Sequence, residues 1–195
     1  PMEALRIISD EHQSLAAILH AVRFMIKEVA AGRLTPDLKL FEAMIHYLDA
    51  YPEKRHHPKE DFLFERLKTR TPDGAEALAK VERQHLGAAA RIKALEDALQ
   101  FYKADSSRLV EFSRAFDNYA EFYRNHMILE EVEIIPLARE HLTTEDWWDV
   151  DRVFAAEPDP MGGTREKPED FAAVFSKLVA SAPAPIGLGA GPYQG

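Results

Sequence analysis

Residues 125–136 read NHMILEEVEIIP, and this stretch decides the fold because it places polar residues on an apolar helix face. His126 and Glu130 are four residues apart, so on an α-helix their side chains lie on one face, about one turn apart. Apolar residues from Phe112 to Ile134 share that face, and no nearby Lys or Arg does. A buried carboxylate is costly unless a positive charge pairs with it. The stretch therefore predicts a metal-binding pair in the core of a helix bundle.

Composition narrows the class of protein. The chain has 195 residues, of which 46% are hydrophobic, which suits one globular domain with an apolar core. Its formal net charge of -9 argues against nucleic acid or an anionic membrane as partner. No run of apolar residues approaches the length of a transmembrane helix, and the first residues do not resemble a signal peptide. We expect a cytoplasmic protein whose oligomeric state the sequence leaves open.

Cysteine is absent, so a metal ion would be held by His and carboxylate side chains. Disulfides, thiolate ligands and iron–sulfur clusters held by Cys are excluded for the same reason.

Helical periodicity runs through most of the chain and predicts four long helices with short connections. The predicted helices span residues 2–31, about 36–67, about 72–104 and about 105–141. Thr35 and Thr71 are the predicted N-caps of the second and third helices, and the second is expected to break or kink between Pro52 and Pro58. The pattern predicts an all-α fold, an antiparallel up-down-up-down four-helix bundle.

The C-terminal part is predicted to contain two short helices. The first follows Thr143 and carries Trp147 and Trp148, and the second spans about 168–181. A loop is expected at 157–168, and a Pro-, Gly- and Ala-rich tail begins at Pro183. We therefore divide the chain into a bundle, residues 1–141, and a C-terminal helical extension with a flexible tail, residues 142–195, packed on it.

Polar residues interrupt the apolar stripe of every long helix. The six residues are His12, His56, Glu60, His85, His126 and Glu130. Imidazole and carboxylate groups suit iron, manganese or zinc. Four imidazoles with two carboxylates fit two bridged metal ions better than one octahedral ion, because a bridging carboxylate neutralises two cations at once.

Taken singly, a His in an apolar stripe is more often a hydrogen-bonded core residue than a ligand. The six together favour a metal site, because one bundle would otherwise bury four His and two Glu without a cation. Two tyrosines on the face of His126 are expected to fill the core, and a role at the metal site is left open for them. They are Tyr119 and Tyr123.

Four residues adjacent in sequence to the six are not assigned as ligands. His57 follows His56, and its role is left open. Glu131 is expected to be solvated or hydrogen-bonded to a ligand. Glu11 and Gln84 each precede one of the histidines and could reach a neighbouring group. They receive no role, because adjacent residues on a helix do not face each other.

The order H…HxxxE…H…HxxxE resembles the hemerythrin-like (HHE cation-binding) family. It is carried by His12, HHPKE at 56–60, His85 and HMILE at 126–130, with spacings of 44, 29 and 41 residues between the histidines. The resemblance covers residues 5–141. It implies a four-helix bundle with a non-haem centre of two carboxylate-bridged Fe ions, with Zn or Mn as alternative metals.

The chain departs from the oxygen-carrying hemerythrins at two positions. Those carry HxxxH on the third helix, whereas Ala89 stands four residues after His85, and they end in HxxxxD, where this chain has Glu130 and Glu131. One ligand is missing, which argues against reversible oxygen storage. The chain is more similar to bacterial hemerythrin-like proteins and to di-iron proteins associated with repair of iron–sulfur centres. The latter usually carry an N-terminal Cys-containing domain, which this sequence lacks.

From these residues we predict a non-haem di-iron protein that binds or reduces oxygen, nitric oxide or peroxide for sensing or stress protection. Whether it is an enzyme is left open, and no catalytic residue is assigned. One alternative is a non-catalytic cation-binding or iron-storage module. Another is a structural zinc or manganese site, although zinc prefers four ligands. A metal-free helical interaction module ranks last, because it leaves six buried polar residues unexplained.

Overall fold

The computed structural model describes residues 2–156 and 170–195. Within these ranges the chain is helical and contains no strand. The α-helices are α1 (Glu3–Ala30), α2 (Leu38–Leu48), α3 (His57–Arg70), α4 (Ala75–Ala104), α5 (Leu109–Leu129), α6 (Ile135–His141), α7 (Thr144–Ala155) and α8 (Phe171–Ser181). The loop predicted for residues 157–168 lies outside the described residues.

Four long helical columns pack around a common core, as expected for a four-helix bundle. They are α1, then α2 with α3, then α4, then α5 with α6. The first column contacts the second and the fourth, and the third also contacts both. Helix α7 packs against α1 and α3, and α8 against α1 and α2. The all-helical prediction is confirmed. Within the described ranges no helix is both long and apolar enough to cross a lipid bilayer.

The two predicted Thr caps are wrong, although the helices begin close to the expected places. Asp37, not Thr35, caps α2, since its side chain accepts a hydrogen bond from the N–H of Leu40 at 3.3 Å. Helix α4 begins after Gly74, whose φ of 75° lies in the left-handed region, and not at Thr71. An Asp side chain caps as well as Thr, and glycine alone adopts that φ without strain.

Prolines widen the second and fourth columns without breaking them. A π-helical turn covers Asp49–His56, with Pro52 inside it, and another covers Glu130–Ile134, directly before Pro136 in α6. Proline lacks an N–H and its ring clashes with the preceding turn of a regular α-helix. The wider π turn accommodates it, and such turns are frequent at functional sites. The expected break at Pro52 is therefore a π-helical turn.

The apolar core consists of two clusters. The first, formed by α1, α2, α4, α5 and α8, includes Leu15, Phe41, Phe112, Phe116 and Leu178. The second, formed by α1, α3, α4, α6 and α7, includes Ile8, Phe64, Val81, Ile134 and Trp147. On α1, His12 lies between Ile8 of the second cluster and Leu15 of the first. The predicted polar residues therefore occupy a layer between two apolar clusters.

The C-terminal residues contact the rest of the molecule at several points. Gly189 donates a backbone hydrogen bond to the carbonyl of Ala182 at 3.0 Å, next to the end of α8. Tyr193 donates its backbone N–H to the Asp37 carboxylate at 2.9 Å. Asp37 thus caps α2 and also holds the tail. The flexibility of the tail and the division at residue 141 stay predictions.

Candidate metal centre

All six side chains predicted as ligands lie together in the layer between the clusters. At most 7% of any of the six is exposed. Their donor atoms form two groups, within each of which one atom per residue lies within 4.8 Å of all the others. One group contains His12, His56, Glu60 and Glu130, and the other contains His57, Glu60, His85 and His126. We call these seven residues the donor layer.

Glu60 faces both groups. Its Oε2 lies 2.9 Å from Nε2 of His56 and 3.4 Å from Nε2 of His12. Its Oε1 lies 3.4 Å from Nε2 of His85. The two carboxylate oxygens therefore point to different pairs of histidines.

Glu130 is arranged in the same way. Its Oε2 lies 3.2 Å from Nε2 of His12, whereas its Oε1 lies 2.6 Å from Nε2 of His126 and 3.6 Å from Nε2 of His85. Each carboxylate thus offers one oxygen to each side of the layer. This is the arrangement that two bridging carboxylates require.

Several buried atoms in the donor layer make no hydrogen bond of acceptable geometry with any described residue, even where a nitrogen and an oxygen lie close together. They are Nε2 of His12, Nε2 of His56, Nδ1 of His57, both carboxylate oxygens of Glu60 and Oε1 of Glu130. Buried polar atoms without partners are rare and costly in native proteins. Cations among these nitrogens and oxygens would satisfy them, so the donor set fits metal ions.

The outer nitrogens of His12 and His56 are also occupied. Nδ1 of His12 lies 2.9 Å from the carboxylate of Glu131, and Nδ1 of His56 contacts the carboxylate of Glu11. An ionised carboxylate only accepts hydrogen bonds, so in both rings Nδ1–H is the donor. In the neutral imidazole the lone pair is then on Nε2, directed at the layer.

His85 and His126 follow the same rule. Nδ1 of His85 donates to Asp61 at 2.7 Å, and Nδ1 of His126 lies 2.7 Å from the amide oxygen of Gln84. Such outer partners orient metal-bound histidines and raise their basicity. We call the four acceptors the outer ring: Glu11, Asp61, Gln84 and Glu131.

The outer ring passes from each helical column to the next. The acceptor on the first column accepts a hydrogen bond from a histidine of the second column. In the same way, the acceptor on the second column binds a histidine of the third, and the acceptor on the third binds a histidine of the fourth. The acceptor on the fourth column binds a histidine of the first. Each acceptor is adjacent in sequence to a residue of the donor layer on its own column. The four columns are therefore linked in a closed cycle.

Glu11 and Gln84, to which the sequence assigned no role, each contact a donor-layer histidine. Neither faces the histidine beside it on its own helix, as expected, but each reaches a histidine on the neighbouring column. Their positions in the sequence could have indicated these contacts, because a polar residue next to a ligand in the core lies at the interface with the next helix. For Glu131 the contact with His12 agrees with the predicted hydrogen bond to a ligand.

His57, which the sequence left open, is buried with 4% of its surface exposed. Its ring stacks on that of His85 at 4.0 Å between centroids, and its Nε2 lies 3.1 Å from the hydroxyl of Tyr123. Burial, together with the neighbouring charge of His85, lowers the pKa of His57 to about 2. The ring is therefore neutral, and one of its nitrogens belongs to the second donor group.

In the metal-free protein, protons bring positive charge into the layer. Burial lowers the pKa of His56, but the carboxylates of Glu60 and Glu11 outweigh it and raise the pKa to about 9. Burial is likewise outweighed at His85, where Asp61 and the two buried glutamates raise the pKa to about 11. Metal ions bind deprotonated imidazole, so they would have to displace these protons.

Comparison with known proteins agrees with the geometry. The family model of the hemerythrin HHE cation-binding domain matches residues 3–138, well over half of the chain. No curated protein and no solved structure matches significantly. The chain belongs to the hemerythrin HHE cation-binding domain family, and this membership implies that it binds metal cations.

Proposed function

We propose that this chain is a non-haem di-iron protein in which Glu60 and Glu130 would hold two iron ions jointly. His12 and His56 would hold one ion, and His85 and His126 the other. The observation that carries the proposal is the orientation of the two carboxylates, each with one oxygen toward each pair of histidines. A site for a single ion does not need carboxylates whose two oxygens point to different pairs of histidines.

The proposed activity is binding or reduction of a small ligand, oxygen, nitric oxide or peroxide, for sensing or stress protection. Iron held by these residues would supply an open coordination position and electrons for such a ligand. Glu60 and Glu130 bring buried negative charge, which favours the higher oxidation state. The outer ring holds the imidazoles in one tautomer, and the apolar clusters limit access of water. Ala89, four residues after His85, offers no donor atom, which favours a coordination position open to an exogenous ligand.

We also propose the antiparallel up-down-up-down order for the four columns. Helices α1 and α4 have 28 and 30 residues, which corresponds to roughly 42–45 Å. The connections at 31–37, 71–74 and 105–108 are too short to return along such a length. Each column must therefore start near the end at which the previous one finished.

The first test is elemental analysis and a visible spectrum of protein purified without chelator. We expect about two irons per chain, as in other di-iron bundles, with ligand-to-iron charge-transfer bands. His126→Ala and Glu60→Ala should each lower the iron content well below that of the wild type. His20→Ala is the matched control, because His20 is an exposed histidine of α1. Full iron content in both donor-layer variants would refute the assignment.

Iron storage is the second candidate, since the same donor layer can hold iron without reacting. Iron that binds reversibly and leaves oxygen and peroxide unreacted would favour it. The cavity that reaches His57 and His85 supports a site accessible to small molecules over a closed structural zinc or manganese site.

A further inference from the structure

A cavity of about 360 Å³ opens between α3 and α4 beside the donor layer. Its lining includes two buried imidazoles, His57 and His85, and three carboxylates, Asp61, Glu65 and Glu82. The carboxylate side chains are 49%, 69% and 30% exposed, whereas that of His85 is only 5% exposed. The lining therefore passes from solvent-exposed acids to buried nitrogen donors. We call this cavity the α3–α4 mouth.

One of the buried residues that line the mouth, His57, carries a ring nitrogen without a partner. Nδ1 of His57 makes no hydrogen bond with any described residue, although 96% of the residue is shielded from solvent. The other ring nitrogen contacts the Tyr123 hydroxyl, and the ring is held by stacking on His85. A fixed, unpartnered imidazole nitrogen beside acidic side chains is suited to a transition-metal cation.

Charge at the mouth is mainly negative. Lys68 pairs with Glu65 at 3.1 Å and with Glu82 at 2.5 Å, so one ammonium group is shared by two carboxylates. Asp61 adds a third carboxylate, which also accepts the hydrogen bond of His85. A cleft lined by one sign of charge concentrates ions of the opposite sign and raises their rate of association.

We propose that the α3–α4 mouth is the port through which a divalent cation enters the donor layer. Glu65 and Glu82 attract the cation, Lys68 sets how strongly they do so, and His57 is the first buried nitrogen that the cation meets. The inference rests on the proposed function, since it requires that the donor layer binds metal. It adds a route and an order of contact that the donor layer alone does not define.

The test measures the rate of metal uptake by apoprotein, in anaerobic stopped-flow with Fe²⁺ and, as a second probe, Co²⁺. At low salt the double variant Glu65→Gln/Glu82→Gln should load roughly 3- to 10-fold more slowly than wild type. Lys68→Gln should load faster, because the mouth loses its cation. Both variants should reach the wild-type stoichiometry, and the rate differences should vanish near 1 M salt, where the Debye length is about 3 Å.

Glu111→Gln/Glu121→Gln is the matched control, since it removes the same charge from exposed positions on α5. It should load at the wild-type rate. Equal rates for the mouth and control variants, or a lower final stoichiometry in Glu65→Gln/Glu82→Gln, would overturn the port and leave the proposed function standing. A wild-type apoprotein that takes up no iron or cobalt would overturn the proposed function, and the port with it.

Discussion

At the scale of the residue, the ring nitrogens of each donor histidine are divided between two tasks. In His12, Nδ1 donates to Glu131 while Nε2 lies near the carboxylates of Glu60 and Glu130. A neutral imidazole has one N–H and one lone pair, so the outer hydrogen bond determines which nitrogen can bind a cation. The outer ring therefore controls the ligands without entering the donor layer.

Removing an acceptor from the outer ring should weaken metal binding without removing a ligand. Glu131→Ala leaves Nδ1 of His12 without its carboxylate partner, so the ring can turn or change tautomer. We expect a loss of about 10- to 100-fold in metal affinity, measured by competition with a chelator of known affinity. The stoichiometry at saturation should not change.

Glu133→Ala is the matched control for this variant. Glu133 lies two residues further along the same π-helical turn and is exposed. The Glu133→Ala variant removes the same charge from the same turn. Equal losses of metal affinity in the two variants would therefore mean that the effect is electrostatic and not due to the hydrogen bond with His12.

The raised pKa values of His56 and His85 predict opposite effects of pH on stability and on metal affinity. In the metal-free protein their contribution to the free energy of unfolding is complete below about pH 6.5, the ordinary His value. It is lost as pH rises through about 9 for His56 and about 11 for His85. Metal affinity should instead rise over this range, because fewer protons compete for the imidazoles.

Denaturant unfolding of the apoprotein and zinc or cobalt titrations between about pH 6 and pH 9 measure the two effects. A metal affinity that stays constant over that interval would contradict the assignment of protons to the donor layer.

At the scale of the element, helix α7 shows how a short helix is held against the bundle. Its start is a capping box in which Thr143 and Asp146 bond each other's backbone N–H, and Asp146 also receives hydrogen bonds from Arg66 and Arg70 of α3. Trp147 then enters the second apolar cluster. A cap, ion pairs with another helix and one large aromatic side chain thus position α7.

The adjacent tryptophans of α7 provide an internal comparison. Trp147 is 4% exposed, whereas Trp148 is 59% exposed. Trp147→Ala should lower the free energy of unfolding by about 3–5 kcal/mol, and Trp148→Ala should change it by no more than about 0.5 kcal/mol. Thermal and denaturant unfolding of the two variants measure the difference. Equal losses would mean that α7 does not use Trp147 to dock on the bundle.

Sequence periodicity predicted the helices well because each one carries an apolar stripe that faces its own core. It predicted the ends less well where two polar residues compete for the cap, as Thr35 and Asp37 do before α2. It also did not reveal the π-helical turn at Pro52, since a break and a wider turn relieve the same clash.

At the scale of the whole molecule, the same reasoning explains which parts of the candidate site were predictable. A ligand that points into the core interrupts the apolar stripe of its own helix, so His12 and Glu130 could be identified from one helix at a time. Glu11 and Gln84 act across an interface, and His57 depends on its neighbour His85. Such contacts depend on how the columns rotate against one another, which periodicity along one helix does not define.

The two apolar clusters on either side of the donor layer have a consequence for how this fold can change in descent or in design. Buried ionic groups contribute little net stability compared with apolar residues of similar volume, whereas loss of Phe41 or Phe64 would leave a large cavity. Different residues therefore determine the fold and the chemistry of the site. A lineage could exchange the ligands of the layer, or replace them with leucine and phenylalanine, while the clusters above and below continue to specify the same bundle.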